Sequence, residues 1–477
     1  MTTPARVRRW GCTAGCAALL ALLGPGTAGA AALPPIKHVF IVMLENQNEQ
    51  DSFGAHSKAP YLAHTLRAQG AFIPGYFGIG HESLDNYVAL ASGQGPNPYT
   101  QADAPFYVDF IGTTGGPDGQ ALGQGSVYPA AVKTVADQLE AKGRTWKGYM
   151  EDMGNDPSRD GSLCGHAHPA VGSQDKSQTA AAGDQYAMRH NPFAYFHSII
   201  DNDARCKAHV VPFTQFPNAL KSAAAAPSYA FISPNLCNDG HDEPCVDGKP
   251  GGLVSADAFL KKWIPRIVAS AGYRDGGLVI VTFDEGMTVG SGADASSCCG
   301  EVNGPNTPNN GGPTPGSGGG KVGAVLLSRY IKPGTVTKHE YNHYSLLRSV
   351  EDMFGLARLG YAGASGPTSF GSDIFKNPSG NILPPVPRPH VRFNGVPRHG
   401  CVSRDLRVHV RTNARAPRTV TVKLDGHRVH RSHHRRFAFT VHAGSLGAGK
   451  HRLLATAVDR FGRRATRKRA FARCAGR

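Results

Sequence analysis

The sequence predicts an α/β fold, a doubly wound sheet sandwiched between helices, followed by a small all-β domain. Three observations carry this. Continuous apolar runs alternate with helical patterns over most of the chain, a proline-rich break lies near residue 380, and short alternating runs follow it. The 477 residues are 40% hydrophobic and 18% charged, which excludes a coiled coil, a collagen or a largely disordered chain. The charge is unevenly placed. Residues 386–477 hold 23 Lys or Arg against three acids, a net of +20, so the 385 residues before them carry −4 of the total +16. That split implies two separately composed parts.

In chain order, an export segment comes first, over 1–31. Arg6, Arg8 and Arg9 precede an apolar stretch from Cys12 to Leu23, and small residues from Thr27 to Ala32 form the cleavage zone. A secreted or extracytoplasmic protein is expected, and no later stretch reaches the roughly 18 apolar residues that span a bilayer. Beyond that segment lie eight cysteines: 164, 206, 237, 245, 298, 299, 401 and 474. An even number in an exported chain reads as disulfides. Cys237 and Cys245 are spaced to close a small loop, Cys401 and Cys474 bracket the basic end, and spacing leaves the other four unassigned.

Val39–Leu44, Tyr229–Ile232, Leu278–Phe283 and Val322–Leu327 are continuous rather than alternating, as parallel strands buried on both faces are. Helical patterns lie between them at Val132–Lys142 and Ala256–Ala271. In Gly304–Gly320, fourteen of seventeen residues are Gly, Pro or Asn, which reads as a surface loop. Domain boundaries follow: 33–375 for the α/β part, a stiff proline-rich linker over 376–398, and a basic β-sandwich over 399–477. In that last part Leu406–Val410, Thr419–Leu424, Phe437–Val441 and Leu453–Ala457 suggest a small Ig-like sandwich.

The chemistry is expected where the buried strands end. Val39–Leu44 runs into Glu45 and Asn46, Tyr229–Ile232 into a loop holding Asp239, His241 and Asp242, and Leu278–Phe283 into Asp284 and Glu285. Open α/β sheets bind ligands beyond the carboxyl ends of their strands, so these acids would converge. Carboxylates that close repel unless something positive sits among them, and a pair of divalent metal ions is the simplest answer. Ser83 precedes a helix-like run in GHESLDNYVALASG, which would place its hydroxyl at a helix N-terminus.

Six motifs in order, ENQN (45–48), GHESLDNYVALASG (80–93), RHNPFAYF (189–196), FISPNLCNDGHD (231–242), VTFDEG (281–286) and YNHYSLLRSVEDMFGL (341–356), resemble the bacterial phosphoesterase family. That family holds secreted acid phosphatases and phospholipases C within the alkaline phosphatase superfamily. The resemblance covers about residues 36–375 and implies an alkaline-phosphatase-like sandwich. It implies Ser83 as nucleophile and Asn86 as phosphate contact, Glu45 as bridging metal ligand with Asn46 beside it, Asp284 and Glu285 as the ligand pair, and His343 as the last ligand. His190 is a candidate substrate contact or a helix cap, and Asp239, His241 and Asp242 are ligand candidates without a division of labour. Glu45 and Glu285 stand where zinc enzymes of the superfamily carry Asp and His, which shifts the metal preference toward calcium, magnesium or manganese and leaves zinc open.

The function expected is a metal-dependent phosphoester hydrolase, a phosphomonoesterase first, with a phospholipase C-type diesterase as the alternative. A non-catalytic polyanion-binding protein is the reading from another class. There is no GxSxG elbow, which argues against a carboxylesterase. The basic tail lacks Trp and Tyr, so a base-stacking platform has little support, and an anionic surface or polyanion is its expected partner.

Overall fold

A computed structural model describes residues 33–160, 164, 172–414 and 417–475. The export segment read over 1–31 lies outside the described residues. Eight strands form the main sheet: β1 (His38–Leu44), β2 (Ala71–Ile73), β3 (Trp146–Met150), β4 (Val210–Pro212), β5 (Tyr229–Ser233), β6 (Gly277–Phe283), β7 (Ala324–Ser328) and β8 (Thr335–Val336). Their spatial order is β8-β2-β7-β6-β1-β5-β3-β4. The centre is parallel: β1 pairs with β5 through Val39↔Tyr229 and with β6 through Val39↔Leu278. These three strands are buried along their whole length, as their unbroken apolar sequences require.

The fourth expected parallel strand is corrected by the structure. β7 runs antiparallel to both β6 and β2, so the sheet is mixed. An apolar run records burial on two faces and carries no information about strand direction.

Four helices matter to the site: α1 (Ser83–Ser92), α2 (Val135–Ala141), α3 (Gly252–Ala269) and α4 (His343–Phe354). A capping box starts α2, with Thr134 Oγ1 accepting from Asp137 N at 3.2 Å and Asp137 Oδ2 accepting from Thr134 N at 2.8 Å. α1 ends at Gly93, whose φ of +69° and backbone bond to Ala89 O make a left-handed cap. Helices cover both faces of the sheet. On β3, Trp146 packs on Phe193, which meets Phe231 and, through it, Tyr87 of α1. Tyr149 has the opposite parity and packs on Phe216, which meets Trp263 of α3.

Glu351 of α4 is fully buried, and burial pushes its carboxyl up to about 8. Its Oε1 accepts from Leu359 N at 2.8 Å. The folded state therefore keeps the proton that the unfolded chain loses near pH 4.5. This contribution to stability is complete below that pH and is lost as the pH rises to about 8. Glu351→Gln keeps the acceptor and removes the ionisation, so it is expected to raise Tm at pH 8 and leave it nearly unchanged at pH 4.5, as thermal melts at the two pH values will show.

The loop 304–320, expected on the surface, is instead half buried. Gly319 O accepts from Gly286 N at 2.7 Å, Gly320 O from Gly78 N at 2.9 Å, and Asn310 O from His81 N at 3.2 Å. Its glycines permit this backbone-to-backbone approach: a Cβ on Gly319 would lie 2.5 Å from Gly80 O.

The C-terminal region is all-β. A three-stranded sheet (Val391–Asn394, Leu406–Thr412, Arg436–Val441) and a five-stranded one share an apolar core that includes Phe393, Val410, Val422, Leu453 and Phe471. The first of these strands falls inside the segment read as linker, which corrects that boundary. All eight cysteines pair: Cys237–Cys245 and Cys401–Cys474 as their spacing suggested, with Cys164–Cys206 and the adjacent Cys298–Cys299. The 73-residue separation of Cys401 and Cys474 contributes about 4 kcal/mol to the small β region in the chain-entropy model. Among the described residues no helix is long and apolar enough to cross a membrane.

Candidate active site

β1, β5 and β6 end side by side, and the residues just past those ends form a buried polar cluster. Glu45, Asp239, Asp284 and Glu285 have no exposed surface, in a region otherwise packed with aromatic and aliphatic side chains. Ser83 is the first residue of α1, and its Oγ donates to Glu45 Oε2 at 2.9 Å. Tyr87, one turn later on the same helix face, donates through its hydroxyl to the other oxygen, Oε1. His190 stacks flat on the Tyr87 ring, 5.4 Å between centroids, and lies between two carboxylates. Its Nε2 is 3.3 Å from Glu45 Oε2 and its Nδ1 is 3.3 Å from Asp239 Oδ2.

Burial dominates the electrostatics. It raises Glu45 and Asp239 well above the carboxylate range, with the neighbouring Asp284 adding to both, and it pushes Asp284 up to about 6. Burial, with Arg189 and His241 nearby, lowers His190 far below its usual value, so the ring is neutral. A neutral imidazole has one N–H and one lone pair. Facing a carboxylate at each nitrogen, His190 directs that lone pair at an oxygen, an arrangement a cation relieves.

The donor set fits divalent metal. Ligand atoms of Glu45, His190 and Asp239 all lie within 4.8 Å of one another. Asn46 Oδ1, Asp239 Oδ2, Asp284 Oδ2 and Glu285 Oε1 are buried and without hydrogen-bond partners among the described residues. Such orphaned oxygens cost free energy unless something binds them. Asn46 stands at φ +49°, with its backbone N–H on Asp284 Oδ1 at 3.0 Å, which ties the ends of β1 and β6 together.

The other expected residues divide. Asp239 is in the cluster, with its Oδ1 accepting from His241 N at 2.8 Å. His241 sits at the rim, held by Asp242 Oδ1 at 2.8 Å on Nδ1, while Arg189 Nη2 lies 3.3 Å from its Nε2, so Asp242 acts through His241. Glu285 Oε2 meets His81 Nδ1. His343, set at the start of α4 by the Asn342 cap, has Nδ1 at 3.0 Å from Tyr76 Oη and Nε2 at 2.6 Å from the Asp284 backbone oxygen. Both nitrogens are engaged there, so His343 braces the backbone of the carboxylate pair.

Asn86 also differs from expectation. Its Oδ1 accepts from Ile79 N at 2.6 Å and Gly80 N at 3.2 Å, and its Nδ2 donates to Gly80 O at 2.9 Å and Glu82 O at 3.3 Å. The side chain is spent on the loop that delivers Ser83, and no polar group is left over for phosphate. Asn86→Ala is therefore expected to cost about 1–3 kcal/mol in stability through two unsatisfied N–H groups, together with a fall in kcat. Urea unfolding and turnover measured on one preparation will check it.

Sequence reasoning passed over Tyr87, His81 and Arg189. Tyr87 was signalled by its i+4 spacing from Ser83. Arg189 is a buried cation, 3.3 Å from Asp103 Oδ2, that acts on both Glu45 and Asp239. Its only local signal is a charge beside His190 in an otherwise apolar run.

Among known proteins, the chain is 27% identical to a probable acid phosphatase of Kluyveromyces lactis, over 68% of this chain and 59% of that protein. It is 26% identical to the phosphatidylinositol-3-phosphatase of Mycobacterium tuberculosis, over 70% of this chain and 82% of that one. A solved phosphonate monoester hydrolase from Silicibacter pomeroyi matches with a TM-score of 0.41 and 12% identity, covering 76% of this chain and 80% of that one. The model of the Phosphoesterase family matches residues 55–357, and the chain belongs to that family.

Proposed function

We propose that the protein is a secreted, metal-dependent phosphoester hydrolase that uses Ser83 as its nucleophile and takes phosphomonoesters as substrates. The observation that carries this is Ser83 Oγ, 2.9 Å from Glu45 Oε2 at the N-terminus of α1, facing a buried cluster whose unpartnered oxygens fit divalent cations. Glu45, Asp239, Asp284 and Glu285, with Asn46 and His190, would hold the metal. When bound, it would supply positive charge to the phosphoryl oxygens and to the Ser83 oxygen. Glu45 orients Oγ and accepts its hydrogen bond, and Tyr87 fixes the Glu45 carboxylate. Attack forms the Oγ–phosphorus bond and breaks the bond from phosphorus to the leaving oxygen, which departs with a proton as the alcohol. Water then cleaves the phosphoserine and releases phosphate. Backbone N–H groups at the start of α1 favour the anion held there.

Both named relatives are phosphatases, which favours monoesters over lipid diesters. Four disulfides favour an oxidising, extracytoplasmic setting. The test is turnover of p-nitrophenyl phosphate against p-nitrophenylphosphorylcholine, each with and without chelator. Chelator-sensitive hydrolysis of the first is expected. Preference for the second would make the protein a phospholipase C-type diesterase, and inertness toward both would sink the hydrolase reading.

A further inference from the structure

The C-terminal β region meets the α/β part at a built turn. Asp459 Oδ1 accepts from Phe461 N and Arg463 N, both at 3.0 Å, and Asp459 Oδ2 accepts from Arg463 Nε at 2.8 Å. The turn seats against the front of the chain. Arg460 Nη2 donates to Gly334 O at 3.1 Å, a Cβ on Gly334 would come within 2.7 Å of the Phe461 ring, and one on Gly462 within 2.6 Å of His64.

Beside this turn opens a cleft of 260 Å³, lined by His64 and Arg67 from the front and by Arg418 and Arg460 from the β region, with Glu49 as the only acid in its wall. Three arginines against one carboxylate in the wall leave two unopposed positive charges with the imidazole neutral; Asp459 also acts on His64, but it is already paired with Arg463. Lys321 also acts on Glu49 from outside the cleft, so that carboxylate is already partly answered. Arg67 is held in place, Nη1 donating to Phe53 O at 2.7 Å and its plane 4.1 Å above the Phe72 ring. Its Nε is buried without a hydrogen-bond partner among the described residues. Like charges brought together from positions more than 350 residues apart in sequence, with a polar group left open, make a site for an anion.

We propose that this cleft binds a phosphate dianion, free or as the monoester terminus of a larger molecule. Its two unopposed charges match that ligand, and guanidiniums from two parts of the chain clamp it between them. None of its lining residues belongs to the cluster at Ser83, so the site does not depend on the reaction proposed there. Phosphate held here would lock the β region against the α/β part.

The test is calorimetric titration of inorganic phosphate, and separately of methylphosphonate, which mimics a monoester terminus without being hydrolysed, into the full chain and into the double variant Arg418→Ala/Arg460→Ala. Both side chains are exposed, so the variant should keep its fold and its turnover of p-nitrophenyl phosphate. The wild type is expected to show a binding component beyond that of the Ser83 site. That component should weaken about tenfold for each guanidinium removed, the worth of a charge-assisted hydrogen bond. Loss with inorganic phosphate alone would identify free phosphate as the ligand, and loss with both probes a monoester terminus as well. A double variant that binds both probes as the wild type does would overturn the proposal, whatever the activity at Ser83 proves to be.

Discussion

Ser83→Ala is expected to lower kcat for phosphomonoester hydrolysis by about a thousandfold or more, since a covalent nucleophile lost from a cluster leaves only binding and electrostatic assistance. The substitution removes one hydroxyl with its bond to Glu45 and its contact with Asp284 while leaving the core volume of α1 nearly unchanged, so Tm should stay within a few degrees. The pairing of these two readouts matters. A large loss of activity with a large loss of Tm would mean that Ser83 only anchors the helix start, and retention of more than about a tenth of kcat would remove it from the chemistry.

The second large effect concerns the metal. Chelation should abolish turnover, and a divalent cation added back should restore it. Chelation should also lower Tm, because Glu45, Asp239 and Asp284 are then left buried without a counter-charge, and the drop should grow as the pH rises through about 6, where Asp284 ionises. Asp239→Asn keeps the shape and removes one charge. It is expected to cost about a hundredfold or more in kcat while shrinking the Tm drop on chelation, because less charge is left uncompensated. An Asp239→Asn protein whose Tm responds to chelator as the wild type does would show that the cluster holds no metal at Asp239.

The centre of the sheet was legible because β1, β5 and β6 are buried on both faces and must be apolar at every position. β3 (WKGYM) was not, since a half-buried lysine and a glycine that fits against Phe193 break the run. The direction of β7 has no compositional trace. The three acidic strand ends were found because the topology of such sheets brings strand termini together. The separate duties of Asp239, His241 and Asp242 were not, since they depend on which side chain the chain turn at Gly240 carries inward. Asn86 and His343 were legible as residues of the site but not in their roles: each spends its polar atoms on backbone groups whose positions only the fold sets. The glycine-rich loop misled for a related reason. Gly and Asn mark solvated turns and close backbone packing alike, and here Asn310 bonds to Gly304 N, Glu301 and Val302 O inside the structure.

The most direct test of the central claim is to quench the wild-type protein with acid while it turns over p-nitrophenyl phosphate and to map the trapped phosphate by peptide mass spectrometry. A single phosphate on Ser83, within the segment Gly80–Gly93, is the result expected. Turnover with no phosphorylated peptide, or with the phosphate on another residue, would contradict it.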